Sequence, residues 1–303
     1  MTPRPRLPFP PLPDLAVELE RLVALVPPGA VTTFGDLARA LGSRHAAIWV
    51  SEWARAQFEM RPDLASRVIS LTALSRQTRH SDFPGPKPLA PLEDWLRQAA
   101  AFINEVPLES SPRTIAGVDV AYPSPDRAVA VAVLMDVASR EVLGEAVVER
   151  PVTFPYITGF LSFREIPVMV AACESLPQAP DVVMIDGQGR LHPHRGGVAT
   201  GFAAATGLPT IGIAKSLLCG TIESSDHPDH GSLVRRILLD GEHLGDAVQA
   251  TRKHSPVYVS VGGWLSLDNA LDATLEMMGS TRLPRPTHLA DRRTKIEARR
   301  LKS

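Results

Sequence analysis

Two aspartates stand where apolar strands would be expected to exclude charge. Asp119 lies between Val118 and Val120 in IAGVDVA (115–121), and Asp186 closes VVMI and opens the glycine-rich turn DGQG. Burying a carboxylate costs on the order of several kcal/mol unless it is paired or binds a cation. A third acid, Glu165, sits among apolar neighbours in GFLSFREIP, beside Arg164. Taken singly, each acid has an ordinary alternative. Asp186 suits a turn cap or an arginine partner, and Glu165 suits a helix surface. Taken together, two strands and a helix can bring three carboxylates to one sheet edge. Such hard oxygen donors suit Mg2+, which keeps several of its waters. A cation held this way activates water and stabilises the leaving oxygen of a phosphodiester. The residues therefore point to a metal-dependent nuclease or phosphoryl-transfer site.

Other groups flank these acids. His192 and His194 follow DGQG in LHPHRGG, and Lys215 closes TIGIA, where an ammonium group can meet a phosphate oxygen. Tyr156 lies in FPYITGF, a turn stiffened by Pro155 and ended by Gly159. An aromatic ring in such a turn can stack on or wedge between bases. The plainer alternatives are a core tyrosine and histidines that pack a loop.

The elements that must position these groups form two sets. Before residue 80 the pattern is helical. An apolar face runs over Leu15, Val17, Leu19, Leu22, Val23 and Leu25, then Thr32 or Thr33 caps a helix over Phe34–Leu41 that Gly42 stops. A further helix is expected over Arg44–Phe58, which makes a helix-turn-helix pair. The segment HSDFPGPKPLAP (80–91) carries four prolines and reads as a semi-rigid linker. Beyond it, a helix over Leu92–Glu105 leads to strands at 115–121, 128–137 and 141–149. A helix (159–175), a strand (181–186), a helix (196–206), strands at 209–214 and 257–261, a helix (266–278) and a last helix from Thr287 follow. That order argues for a mixed α/β sheet flanked by helices. At 303 residues, 44 % hydrophobic and 21 % charged, the chain has material for two such cores. The proline-rich start, Met1–Pro13, has no secretory apolar stretch and reads as a loose arm. With two cysteines, Cys173 and Cys219, the setting expected is reducing and cytoplasmic, with no membrane partner. The net charge of −1 does not advertise nucleic-acid binding. The segment 281–303 concentrates basic residues, which suits phosphate contact or a solvated helix face equally.

Five segments carry a family resemblance: IAGVDVAY (115–122), PYITGFLSFRE (155–165), DVVMIDGQGRLHPHRGGVA (181–199), LPTIGIAKS (208–216) and RLPRPTHLADR (282–292). In order and spacing they resemble endonuclease V. The resemblance covers residues 92–303 and implies a ribonuclease-H-like fold. It also implies a Mg2+-dependent enzyme, with Mn2+ able to substitute, that nicks DNA 3′ of deoxyinosine and related deaminated bases. By the same resemblance Asp119, Glu165 and Asp186 hold the metal, and Lys215 completes the catalytic set. Tyr156 in the strand-separating turn, Gly187, His192 and Lys215 meet the substrate. Two positions depart from the family pattern: Gly263 and Gly201 stand where histidine is usual. Those losses keep open a catalytically weakened lesion-binding protein, and the 2′-OH question keeps open an inosine-specific ribonuclease acting on RNA.

The N-terminal part, expected as a domain over 1–84 followed by a linker over 85–91, is similar to the DNA-binding domain of O6-alkylguanine-DNA alkyltransferases and alkyltransferase-like proteins. The similarity rests on VPPGAVTTFGDLARALG (26–42). It implies a small winged helix-turn-helix domain that binds DNA; a degenerate module kept for packing or partner contacts is the plainer alternative. The reactive Pro-Cys-His-Arg motif is missing: LASRVIS (64–70) puts Ala65 at the cysteine position, and Ile48 stands where an arginine is usual. Alkyl transfer needs a thiolate nucleophile, so that activity is not expected.

Overall fold

Runs of β-branched and alanine residues make the strands of this chain, and glycines set how closely helices approach them. The computed structural model describes residues 4–225, 227, 230, 233–251 and 253–302. These fall into two compact units, one of residues 10–95 and 153–164, the other of residues 1–9, 96–152 and 165–303.

The smaller unit opens with α1 (Leu15–Ala24), capped by the Asp14 carboxylate, then β1 (Ala30–Thr33) and α2 (Phe34–Leu41). At the start of α2, Thr33 and Asp36 cap each other's backbone N–H reciprocally, and Gly42 ends the helix at φ 110°. A single 3-10 turn leads to α3 (Ala47–Arg55), followed by α4 (Pro62–Arg67), β2 (Val68–Ile69) and β3 (Thr78–Arg79). β2 and β3 pair in parallel on either side of β1. The four helices α1–α4 and a small sheet thus stand where the sequence predicts a helical N-terminal region. The proline-rich stretch lies within this unit. Leu89 is fully buried and its N–H donates to the Leu41 carbonyl.

α5 (Ala90–Phe102) leads into the larger unit. Its strands are β4 (Thr114–Ser124), β5 (Arg127–Asp136) and β6 (Val142–Pro151). After α6 (Ser162–Glu174) come β7 (Val182–Ile185), α7 (Val198–Thr206), β8 (Thr210–Ala214) and β9 (Thr221–Ile222). β10 (Val234–Leu239), β11 (Glu242–Val248), β12 (Val257–Gly263), α8 (Leu267–Met277) and α9 (Arg285–Arg300) complete it. Among the described residues the sheet has nine strands, in the order β6-β5-β4-β7-β8-β12-β11-β10-β9. β4, β7 and β8 run parallel, and the flanking strands are antiparallel. The mixed sheet flanked by helices is the fold class expected from the sequence. Its core joins Ile115, Met184, Ile211 and Val259 of the sheet to Leu271 and Ala290 of the helices.

Two features differ from expectation. The strands β10 and β11 were not expected, because charged residues interrupt VRRILL and EHLGDAV. Their turn, Asp240-Gly241, has φ values of 55° and 82°, the geometry that suits a tight hairpin. The proline-rich arm is not loose over its described residues. The Leu7 N–H donates to the Ala204 carbonyl at 2.8 Å, one of the last four carbonyls of α7, which have no partner inside the helix. Met1, Thr2 and Pro3 of that arm lie outside the described residues.

Candidate metal centre

The site begins with strand register. In the parallel pair β4–β7, Val118 faces Ile185, and the Asp186 N–H donates to the Val118 carbonyl at 3.1 Å. The next residue on each strand is an aspartate, so Asp119 and Asp186 emerge side by side at the carboxyl ends of neighbouring strands. Parallel α/β sheets place their ligands at such ends. The helix α9 brings a third carboxylate. It crosses β4 at Gly117, where a Cβ would stand 2.1 Å from the Pro286 carbonyl carbon, so only glycine allows the approach. Asp291 then reaches the two strand acids. One carboxylate oxygen from each of Asp119, Asp186 and Asp291 lies within 4.8 Å of the others.

Two lysines balance this cluster in part. Lys215, at the end of β8, bonds Asp186 and also Asp291, the latter at 2.6 Å. Lys295 bonds the other oxygen of Asp291 at 2.6 Å. Burial and then the neighbouring Asp186 charge push the Asp119 carboxyl up to about 7. Burial alone would raise Asp291 and lower Lys215. Pairing outweighs it: Lys215 and Lys295 hold Asp291 below the usual carboxylate range, and Asp186 first, then Asp291, holds Lys215 above the usual lysine range.

The structure brings together Asp119, Asp186 and Lys215 of the residues singled out from sequence, and adds Asp291. Glu165 is buried in the first turn of α6, with one oxygen accepting from the Tyr122 hydroxyl at 3.4 Å. It is not a member of the three-carboxylate group. Gly187 donates its N–H to the Ile213 carbonyl at 3.2 Å. His192 accepts the His194 N–H at Nδ1, which leaves Nε2 to carry the proton of a neutral ring. Burial, then His194, pulls its pKa down to about 4. Among the described residues, no hydrogen bond or ion pair joins His192 to the carboxylates. In the smaller unit Tyr156 is 63 % exposed while Phe154, Ile157 and Phe160 of the same turn are buried. The core-tyrosine alternative therefore fails.

Asp291 was missed because it lies on a helix whose sequence reads as basic. The available signal was Asp291, Thr294 and Lys295 at i, i+3 and i+4, one helical face. Much of the basic tail is committed within the protein: Arg293 pairs with Glu145 and Glu297, and Arg300 with Glu297. Gly263 is tightly enclosed. A Cβ there would stand 2.9 Å from Ile103 and 3.0 Å from Ala203, so packing leaves no room for histidine at that position. Gly201 is buried within α7. Cys173 and Cys219 are free thiols, and burial raises Cys173 to about 12.

The endonuclease V family model matches residues 97–292. Endonuclease V of Xanthomonas campestris is 40 % identical over 204 residues, covering 66 % of this chain and 84 % of that protein. The chain belongs to the endonuclease V family. The crystal structure of the Streptomyces avermitilis member superposes with a TM-score of 0.65 at 32 % identity, covering 74 % of this chain and 98 % of that one. The Ciona intestinalis member, solved with a 24mer DNA containing an inosine followed by a ribo-adenosine, shares the fold at a TM-score of 0.62 and 22 % identity. It covers 71 % of this chain and all of that one. Membership makes the chain an endonuclease, of a family associated with DNA repair. Among the described residues, no helix is long and apolar enough to cross a membrane.

Proposed function

We propose that this endonuclease nicks DNA 3′ of deoxyinosine and related deaminated bases, using a divalent cation held by Asp119, Asp186 and Asp291. The observation that carries the reading is the charge balance of the cluster. Three carboxylates converge within 4.8 Å, and one of them stays raised to about 7 with two lysines present. A set of hard oxygen donors with excess negative charge fits Mg2+ or Mn2+. When bound, such a cation supplies charge stabilisation for a phosphodiester and a more acidic water. Glu165, buried in the same unit, is the further carboxylate we assign to the site, on the family resemblance.

The chain's own groups supply the rest. Lys215 holds Asp186 and Asp291 in position and presents an ammonium group to a phosphate. His192, neutral at physiological pH, is a hydrogen-bond donor through Nε2. Tyr156 offers an exposed ring for base stacking. We assign the helical unit, with α3 as the second helix of its pair, to contact with the DNA duplex. It carries Ala65 where alkyl transfer would need a thiolate, and both cysteines belong to the other unit.

The test is a nicking assay on matched deoxyinosine DNA and inosine RNA, with and without Mg2+. Mg2+-dependent nicking of the DNA supports the proposal. Binding without nicking favours the weakened lesion-binding alternative, and preference for the RNA substrate favours the ribonuclease.

A further inference from the structure

A hydroxyl behind the carboxylates is built into α9 and belongs to none of the roles above. Thr294 is fully buried, and its Oγ1 donates to Oδ2 of Asp119 in a very short contact. The same oxygen lies 3.1 Å from the Ala290 carbonyl and 3.0 Å from the Asp291 carbonyl. A threonine hydroxyl has one proton to give. Of the three acceptors only Asp119 can be charged, and bonds to charged acceptors are roughly twice as strong as neutral ones.

We propose that Thr294 is a positioning residue for the divalent cation: its hydroxyl fixes the Asp119 carboxylate so that the second oxygen is presented in a single direction. The inference rests on the metal reading above. Its logic is the helical spacing. Asp291 contributes a carboxylate directly, Lys295 takes one oxygen of that carboxylate, and Thr294, between them in sequence, secures the acid of the facing strand. One turn of α9 thereby sets two of the three carboxylates. Asp119 also meets Asp186 through a side-chain hydrogen bond, so Thr294 is the partner that ties it to α9. Without the hydroxyl, Oδ2 loses its buried donor from α9, and the carboxylate is held less firmly about its last torsion.

The experiment uses the full chain and Mn2+ alone as probe. Free Mn2+ is counted by electron paramagnetic resonance during a titration of the wild type, Thr294→Val, Thr294→Ala and Thr294→Ser. Loss of a hydrogen bond behind a metal ligand typically weakens affinity about 10–100-fold. The Val and Ala variants are expected to lose affinity within that range. The Ser variant is expected to stay within about twofold of the wild type, since it keeps the hydroxyl. Melting curves of the metal-free proteins identify variants that fold, and the Ala variant serves if Val does not fit. Wild-type affinity in a folded Val or Ala variant overturns the proposal. So does an equal loss in Val and Ser, because the hydroxyl is then not the cause. A wild type that binds no Mn2+ overturns the metal reading itself and this inference with it, an outcome separate from the other two.

Discussion

Each unit of this protein buries an aspartate hub, and the two hubs are balanced in opposite senses. In the helical unit Asp36 is 1 % exposed. It accepts from the Thr33 backbone and hydroxyl and from the guanidinium groups of Arg39 and Arg79. Burial would raise its carboxyl, but the bonds from Arg79 and Thr33 win and lower it to about 2. In the nuclease unit, Asp119 is 9 % exposed, and burial together with the Asp186 charge raises it to about 7. One hub has more positive partners than negative groups and needs nothing further. The other has more carboxylates than lysines, an imbalance that the proposed cation would offset. A buried acid therefore signals structure or chemistry according to the charge around it, and burial alone does not decide.

The comparison is broken most severely at Asp186. Asp186→Asn keeps the shape and removes a ligand charge. Nicking is expected to fall on the order of 10^3-fold or more, as when a preorganised charge-stabilising group is removed, while the fold is retained. Nicking near the wild-type rate in a folded variant would remove the carboxylate cluster from the mechanism.

Asp119→Asn tests the sign of the imbalance. A carboxyl raised in the folded state binds its proton more tightly there than in the unfolded chain. Its contribution to stability is therefore present at low pH and declines as pH rises from about 4 towards 7. Replacing it with the neutral amide should raise the melting temperature of the metal-free protein at pH 8, by roughly a few degrees. The gain should shrink or vanish at pH 5. Circular dichroism melts at the two values check this, and a variant destabilised equally at both contradicts it.

Asp36→Ala is the counterpart. It removes a reciprocal helix cap and the partner of two arginines, and should cost about 2 kcal/mol of stability. The Asp36 contribution is present above pH 4 and lost as pH falls through about 2, so the wild type and the variant should converge in strong acid. Under conditions where both are folded, the Mg2+ requirement for nicking should not move. A changed requirement would mean that the two hubs are not independent.

Tyr156→Ala gives the smallest effect. Stacking is worth roughly 1–3 kcal/mol per base, so preference for inosine-containing over undamaged DNA should shrink with Mg2+ dependence unchanged. A shifted melting temperature with unchanged preference would contradict the assignment.

Much of this was legible in the sequence, for physical reasons that can be named. Asp119 and Asp186 were legible because a charge inside an apolar strand conflicts with local pattern. Lys215 was legible at a strand end. Asp291 was not, because a helix rich in arginine and lysine hides one acid of the cluster among charges that would look solvated. Its role depends on Gly117, a contact between residues far apart in the chain that periodicity cannot report. The β10–β11 hairpin was carried by Asp240-Gly241, a signal that interleaved charges on both strands masked. The fit at Gly263 depended on Ile103 and Ala203, which no local window contains.

The composition of the units has a consequence for how the chain is made. Neither unit is a continuous stretch. The helical one is completed by residues 153–164, which bring Phe163 to within 5.7 Å of Trp95, ring centre to ring centre. The nuclease one begins with the arm whose Leu7 meets Ala204. Domains ordinarily fold as units during synthesis, N-terminal first, at roughly 5–20 residues per second. Here that order is closed. The helical unit waits for residue 164 to leave the ribosome, roughly 3–14 seconds after residue 95 at that speed, and Leu7 waits longer still for Ala204 of α7. Until then the half-built helical unit lacks the ring contact that Phe163 supplies to Trp95.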